Sequence, residues 1–327
     1  GYGNPELKWQ NTISYNVGVD MTLLKGLVVF NGDFYVKDTE NLLLPLTVAP
    51  STGFNSYVEN IGKLRNTGLE GRLRLNLIKD SQRDLRWNVT LSAFHNKSKI
   101  TKLSNQLEEI NKYANNDFYN KGTVVYRQYE AGRSQTALMV VQSGGIDPAT
   151  GNEIYIKRNG ELTFEYDAND KVKCGDLKPT IEGNVNTNLT WKGFTLYMLF
   201  KYQFGAKAYN GTLASKVEGA NPYRNADKRV LYDRWKEPGD HAKFRRIDDR
   251  TSPYQTTRLV FDNDLFTLSS VSLSYELPRD ISQKFYADRV RLMLSTTDVF
   301  RLSTIKQERG TTYPFARTFN MSLNVTF

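Results

Sequence analysis

Residues 13–21 read ISYNVGVDM, in which every odd position is apolar and every even position is polar or glycine. Residues 85–93 (LRWNVTLSA) and 319–327 (FNMSLNVTF) repeat this pattern. With 39% apolar residues in the chain, about 0.4 nine-residue windows of this kind are expected by chance. Strict alternation over this length is typical of a β-strand with one apolar and one polar face. The three stretches therefore predict such strands.

Weaker versions of the pattern bring the number of predicted strands to eleven. Two of them, 133–146 and 152–165, alternate less cleanly than the others. All ten prolines fall outside the predicted strand interiors, as expected because proline cannot donate to a β-ladder. The other stripes cover residues 28–36, 69–77, 181–191, 194–204, 271–275 and 290–294.

The connections between the predicted strands alternate between short and long. Short links lie near 23–26, 79–84, 147–151, 191–193 and 278–288, and long ones near 39–66, 96–131, 166–179, 205–263 and 302–315. Transmembrane β-barrels have short turns at one end and long loops at the other. We expect helices in the long loops. One runs from Asn225 to Lys236, where Pro238-Gly239 ends it, and another spans 105–114.

Composition excludes several classes of protein. A single cysteine and two histidines exclude a disulfide framework and leave almost no room for a Cys/His zinc site. The longest apolar run, about six residues, is far short of a spanning helix. The net charge of +9 is dispersed, and its densest patch, 243–246, lies beside acidic residues, so we expect no nucleic-acid partner. Carboxylate pairs such as Asp262 with Asp264 are interpreted as solvated. We predict no catalysis, metal or cofactor.

Alternation alone does not say whether the apolar face meets a protein core or lipid. Three features favour the membrane: aromatic residues at stripe ends, such as Trp191 and Phe194, polar partners rich in Asn, Thr, Ser and Arg, and an amphipathic last strand ending on Phe327. A soluble all-β glycan-binding protein and a passive outer-membrane porin remain alternatives.

Several short motifs, in their order and spacing, carry a resemblance to a known family. The chain resembles the C-terminal half of the β-barrel of a SusC/RagA-like TonB-dependent outer-membrane transporter from Bacteroidetes. The match runs almost end to end, and each motif is weak alone. The motifs are NPELKW (4–9), YNVGVD (15–20), NIG (60–62), NTGLE (66–70), FHNK (94–97), GIDPATG (145–151), YQFG (202–205), RW (234–235) and the closing stretch 317–327.

The resemblance implies an all-β fold, with about eleven C-terminal strands of a roughly 22-stranded antiparallel barrel and short helices in long extracellular loops. Residues 1–327 would be one part of that barrel domain. Eleven strands cannot close such a barrel, and open edges in a bilayer leave backbone groups unpaired. We therefore expect the plug domain and the N-terminal strands to lie outside this chain.

The implied function is active import of an oligosaccharide or oligopeptide through the outer membrane. The implied partners are a SusD-like surface lipoprotein, TonB acting through the N-terminal part, the remaining plug and barrel segment, and outer-membrane lipid. Phe327 would be the terminal residue of the barrel-assembly signal. The polar residues predicted to face the lumen or plug are Arg72, Arg74, Arg86, Asn184, Asn186, Arg289 and Arg291.

The longest loop supplies the candidate ligand-binding residues. Aromatic and arginine side chains there can stack on sugars or hold an extended peptide, although the same residues can equally pack the loop. The candidates are Tyr223, Arg224, Trp235, Arg245 and Arg246.

Overall fold

The computed structural model describes residues 4–47, 56–60, 62–104, 108, 111–112, 115, 120–121, 125, 128–249, 251–305 and 316–327. Among them, no helix is long and apolar enough to cross a lipid bilayer. Most of the helix predicted at 105–114 lies outside the described residues.

The described residues form seventeen strands, which we number in chain order. They are β1 (Asn11–Leu23), β2 (Val28–Glu40), β3 (Leu43–Thr47), β4 (Ser56–Asn60), β5 (Gly62–Asp80), β6 (Leu85–Leu103), β7 (Ala137–Ile146), β8 (Glu153–Ile156), β9 (Leu162–Thr163), β10 (Lys171–Asp176), β11 (Ile181–Trp191), β12 (Phe194–Phe204), β13 (Lys207–Tyr209), β14 (Val260–Asp262), β15 (Leu265–Glu276), β16 (Arg289–Ser303) and β17 (Phe319–Thr326).

Nine of these strands form one antiparallel sheet, which we call the wall. Its order is β1-β2-β5-β6-β11-β12-β15-β16-β17, and β1 and β17 are its two open edges among the described residues. The prediction of an all-β, unclosed antiparallel barrel segment is confirmed.

The wall has a short-turn end and a long-loop end. Turns at 24–27, 81–84 and 192–193 and the connection 277–288 lie at the short-turn end. The last of these contains helix α1 (Arg279–Ser282) and a 3₁₀ turn at Gln283–Phe285. The connections from β2 to β5, β6 to β11, β12 to β15 and β16 to β17 lie at the opposite end.

The wall has fewer strands than the sequence predicted, because the stretches 133–146 and 152–165 lie elsewhere. They contribute to a separate four-stranded sheet of order β10-β7-β8-β9. Residues 137–141 in β7 are consecutively apolar, and none is more than 4% exposed. A continuous apolar run of this kind is typical of a strand covered on both faces, not of an amphipathic wall strand.

Glycines inside the wall make room for aromatic rings from neighbouring strands. The Tyr202 hydroxyl lies next to Gly183 and donates to the Ser92 carbonyl at 2.9 Å. A Cβ on Gly183 would lie only 1.9 Å from that carbonyl oxygen. Tyr35 covers Gly68 in the same way, so these in-strand glycines are packing positions between adjacent strands.

One face of the wall is apolar and exposed. Val17 is 68% exposed, Leu91 38% and Leu323 63%. Leu73 and Val185, on the same stripe pattern, are half-buried. These side chains do not come together in a dry interior, as the core of a soluble sandwich would require.

The long loops fold into a body of their own, which we call the platform: residues 128–180 with 205–249 and 251–263. Its core joins Val141, Tyr155 and Tyr166 from the first segment to Tyr254 from the second. The Tyr166 and Tyr254 rings stack with centroids 4.0 Å apart, and Tyr155 meets Tyr166 edge-on at 5.4 Å. The β6–β11 and β12–β15 connections therefore share one core.

Candidate functional site

The register of the wall places the predicted lumen residues on one face. Arg72 lies opposite Ser92, and Ser92 lies opposite Asn184. Residues directly opposite in an antiparallel ladder share a face. Arg72, Asn184 and Asn186 line a cleft of about 450 Å³ together with Asp33 and Glu70. This face is polar and mixed in charge.

The same face continues across the later strands. Arg86 lies opposite Thr190, Thr190 opposite Thr195, and Thr195 opposite Ser274. The Arg291 guanidinium donates to the Ser274 hydroxyl at 2.8 Å, which places Arg291 on that face as well. The register thus brings together residues that the sequence grouped by alternation alone.

Two further predicted lumen residues have partners near the short-turn end. Arg74 donates to the Asn76 amide oxygen at 3.2 Å, and Arg289 pairs with Glu276 at 2.6 Å. Both members of the second pair are about half exposed. Phe327 follows β17 and is 82% exposed.

A buried ion cluster joins the two segments of the platform. The Arg258 guanidinium lies 2.9 Å from the Glu153 carboxylate and 2.7 Å from that of Glu218. Both carboxylate side chains are at most 1% exposed. Glu153 belongs to β8, whereas Glu218 and Arg258 come from the β12–β15 connection. We call this cluster, with Arg245, the ionic seam.

Arg245 completes the ionic seam from inside the loop. Its Nε donates to Glu218 at 2.8 Å, and its Nη1 donates to Asp249 at 2.5 Å. The residue is only 6% exposed. The sequence proposed Arg245 as a ligand contact; in the structure Glu218 and Asp249 accept from its guanidinium, which positions the loop.

Two members of the seam, Glu218 and Arg258, have pKa values that favour their charged forms. Burial alone would raise the pKa of Glu218, but Arg258 and Arg245 outweigh burial and hold that pKa below its usual value. Burial also opposes the charge of Arg258, yet Glu153 and Glu218 raise its pKa. Sequence reasoning missed this cluster because its members are up to 105 residues apart and no local pattern marks them.

Trp235 holds the turn 147–151 onto the second segment. Its indole nitrogen donates to the Pro148 carbonyl at 2.8 Å. Gly151 has φ +73°, and a Cβ there would lie 2.5 Å from the indole Cδ2. The Arg246 guanidinium lies over the same ring, 5.9 Å from its centroid. The GIDPATG motif therefore forms a turn that packs on a tryptophan.

The helix predicted from Asn225 to Lys236 is wrong. Only a 3₁₀ turn at Lys228–Leu231 forms, and Asp227 caps it by accepting from the Arg229 amide at 2.9 Å. Asp233 has φ +54°, which ends any helix.

After Asp233 the backbone runs toward residue 244. The buried Arg234, which follows Asp233, donates to neighbouring carbonyls. Its guanidinium donates to the carbonyls of Val230 at 3.1 Å and Arg245 at 2.8 Å. Burial lowers the pKa of Arg234.

A cavity of about 380 Å³ lies where this loop folds back on itself. Trp235 and Arg246 are the two predicted ligand residues that line it. Tyr223 is 77% exposed and Arg224 is exposed, and neither lines the cavity. The complete lining is Val230, Leu231, Arg234, Trp235, Lys236, Arg246, Ile247 and Asp248.

An open antiparallel wall with alternating faces, short turns and folded long loops is the architecture of a segment of a large β-barrel. Residues 1–129 match the family model described as TonB dependent receptor-like, beta-barrel. The resemblance to the β-barrel of SusC/RagA-like TonB-dependent receptors that the sequence motifs predicted is confirmed. Proteins of this family are receptors and transporters rather than enzymes.

Several curated relatives are similar in sequence, and solved structures are similar in fold. The chain is 25% identical to TonB-dependent receptor P3 of Formosa agariphila, over all of this chain and 35% of that protein. It is 24% identical to TonB-dependent receptor SusC of Bacteroides thetaiotaomicron, over 78% of this chain and 27% of SusC. The fold is similar to the RagAB peptide importer in its 'open-open' state, with TM-score 0.78, 21% identity, and coverage of 99% of this chain and 36% of that one. The chain spans about a third of the length of these proteins.

Proposed function

We propose that this chain forms wall and extracellular loops of an outer-membrane transporter that imports a nutrient in a TonB-dependent manner. The observation that carries the proposal is the two-faced wall, whose apolar face is exposed and whose polar face gathers Arg72, Asn184 and Asn186 around one cleft. Such a wall suits lipid on one side and a wet lumen on the other. The resemblance to TonB-dependent receptors supports TonB as the source of energy.

The two ends of the wall have different roles in this proposal. Short turns of outer-membrane barrels lie in the periplasm and long loops outside the cell. The platform therefore meets the incoming nutrient, and a SusD-like lipoprotein caps it. The polar face of the wall, including Arg74, Arg86, Arg289 and Arg291, faces the plug domain of the complete protein.

The nutrient class is an oligosaccharide or an oligopeptide. RagAB is named as a peptide importer, and that name supports the peptide alternative by analogy of fold alone.

The test compares uptake with and without TonB. Cells that carry the complete transporter receive a labelled peptide mixture and a labelled glycan mixture. We expect uptake of one mixture, and we expect it to stop when the tonB gene is deleted. Uptake that continues without TonB, together with ion conductance of the purified protein in planar bilayers, would make the protein a passive porin.

The partner is tested by purification from native membranes in mild detergent. We expect a SusD-like lipoprotein to elute with the transporter in equal amounts. A transporter that elutes alone, yet still takes up its nutrient, would contradict this partnership. A protein that stays monodisperse without detergent would contradict the membrane location.

A further inference from the structure

The cavity in the β12–β15 connection has two chemically different sides. Val230, Leu231 and Ile247 give it aliphatic surface, and Leu231 is 69% exposed. Its rim carries Lys236, which is exposed, and Arg246, whose side chain is 42% exposed. At about 380 Å³, the cavity lies within the range of ~300–1,000 Å³ that is usual for small-ligand sites.

The charge around the cavity is positive. Its lining contains three cationic side chains, Arg234, Lys236 and Arg246, and one carboxylate, Asp248. Asp248 pairs with Arg246, whose Nε donates to it at 2.6 Å, so this pair is neutral overall and the net positive charge comes from Arg234 and Lys236. Arg234 donates to backbone carbonyls, which carry no net charge. The site therefore presents cationic charge beside apolar surface.

The tryptophan at the cavity is poorly placed to stack on a sugar. Stacking needs an open ring face, whereas the Trp235 indole has Gly151 packed against it and the Arg246 guanidinium over it. Its one hydrogen-bond donor is given to Pro148. What remains of the ring adds apolar surface to the cavity.

We propose that this cavity binds an apolar side chain of an acidic peptide, with a neighbouring carboxylate of that peptide at Lys236 on the rim. The proposal rests on the import function above and specifies the chemistry of its first capture site. Aliphatic surface accepts the side chain, and the cationic rim selects peptides with acidic residues next to it.

The test measures binding to the complete transporter in detergent by fluorescence anisotropy. The probe is a labelled hexapeptide, Ala-Glu-Leu-Glu-Leu-Ala. Its two matched partners replace Glu by Gln or Leu by Ala, and unlabelled maltohexaose is the competing glycan. We expect the probe to bind at least tenfold more tightly than either partner and to resist maltohexaose.

Variants then locate the site. Leu231→Glu puts a carboxylate into the aliphatic surface at an exposed position, and we expect a loss of affinity of about tenfold or more. The matched control is Leu162→Glu, because Leu162 is 62% exposed on β9 and does not line the cavity. Lys236→Gln should weaken binding about two- to fivefold, whereas Lys216→Gln, exposed in the same connection, should not.

Equal binding by wild type and L231E, or tight binding of maltohexaose that L231E abolishes, would overturn the proposal. TonB-dependent uptake measured on the same preparations separates the two levels of the account. If uptake is intact but the peptide probe does not bind, the cavity assignment alone fails. If no nutrient enters in a TonB-dependent manner, the proposed function fails.

Discussion

The wall and the platform are built on opposite principles. In the wall, apolar side chains such as Val17 and Leu323 are more than 60% exposed, and the strands are held by their ladders. In the platform, Val140 and Val141 are at most 1% exposed, and Val141 packs in a core that two connections share. The apolar side chains of the wall thus need an apolar environment outside the chain, whereas those of the platform are buried in the platform's own core.

Charge follows the same division. The wall keeps its ion pairs half exposed, as in Arg289 with Glu276. The platform buries Glu218 and Arg258 almost completely and holds them together with Glu153 and Arg245. A buried pair is costly to break, because removing one partner leaves the other charge unpaired away from water. Disruption of the platform should therefore begin at the ionic seam.

The largest expected effect is at the ionic seam. Arg258→Ala leaves Glu153 and Glu218 buried with too little positive charge, which should cost roughly 3–5 kcal/mol of platform stability. Amide hydrogen exchange at residues 137–141 should rise strongly. The control Arg289→Ala breaks a half-exposed pair in the wall and should cost about 1 kcal/mol or less. Equal protection in both variants would show that the seam does not hold the platform.

The next largest effect is expected when a charge is placed on the apolar face of the wall. Val185→Arg puts a charge on the apolar face and should cost about 2–4 kcal/mol near the middle of a bilayer. Asn186→Arg, one residue further on, puts the same charge on the polar face and should be tolerated. Folding of both variants into lipid vesicles, followed by heat-modifiable gel mobility, makes the comparison. If N186R fails where V185R folds, the faces are reversed.

A smaller effect separates packing from backbone strain in the platform. Gly151→Ala combines a positive φ with a clash against Trp235, and we expect a cost of about 1–3 kcal/mol and a shift in tryptophan fluorescence. Gly160→Ala also has a positive φ, +87°, but nothing lies within 4 Å of the added Cβ. The control should therefore leave the fluorescence unchanged. A similar fluorescence shift in both variants would show that the clash with Trp235 is not its cause.

The smallest expected effect is the pH dependence that Glu218 gives to the stability of the platform. Its pKa in the folded protein is below the ordinary 4.5, so its charge stabilises the platform above that pH, and this contribution disappears as the pH falls through the lowered value. We expect hydrogen exchange in residues 137–141 to rise on acidification below about pH 4.5, while amides in the wall change less. Glu218→Gln should flatten this dependence. If hydrogen exchange in that variant still rises on acidification as in the wild type, other carboxylates cause the acid response.

Much of the wall could be predicted from the sequence, because period-two alternation is a local signal. Residues 13–21 and 319–327 fall in β1 and at β17 for that reason. The stretch 133–146 misled the count, since consecutive apolar residues from 137 to 141 also fit a strand buried on both faces. A short alternating pattern in the sequence does not show which sheet the strand joins.

The site was harder to predict because its geometry depends on contacts between distant segments. The sequence proposed Trp235 and Arg246 as ligand contacts, which stays a prediction, and both line the cavity. Arg245 looked equivalent in sequence, yet burial against Glu218 gives it a structural part. Glu153 and Arg258 carried no local signal at all, because they lie on different connections, 105 residues apart in sequence.

The central claim is that the apolar face of the wall meets lipid and the polar face meets water. Val185→Cys and Asn186→Cys, each with Cys174→Ala in the complete transporter in lipid bilayers, carry a nitroxide label whose relaxation reports access to oxygen or to a water-soluble nickel complex. The account predicts that the label at position 185 is reached mainly by oxygen and the label at 186 mainly by nickel. The reverse pattern, or a label at 185 that neither reagent reaches, would contradict it.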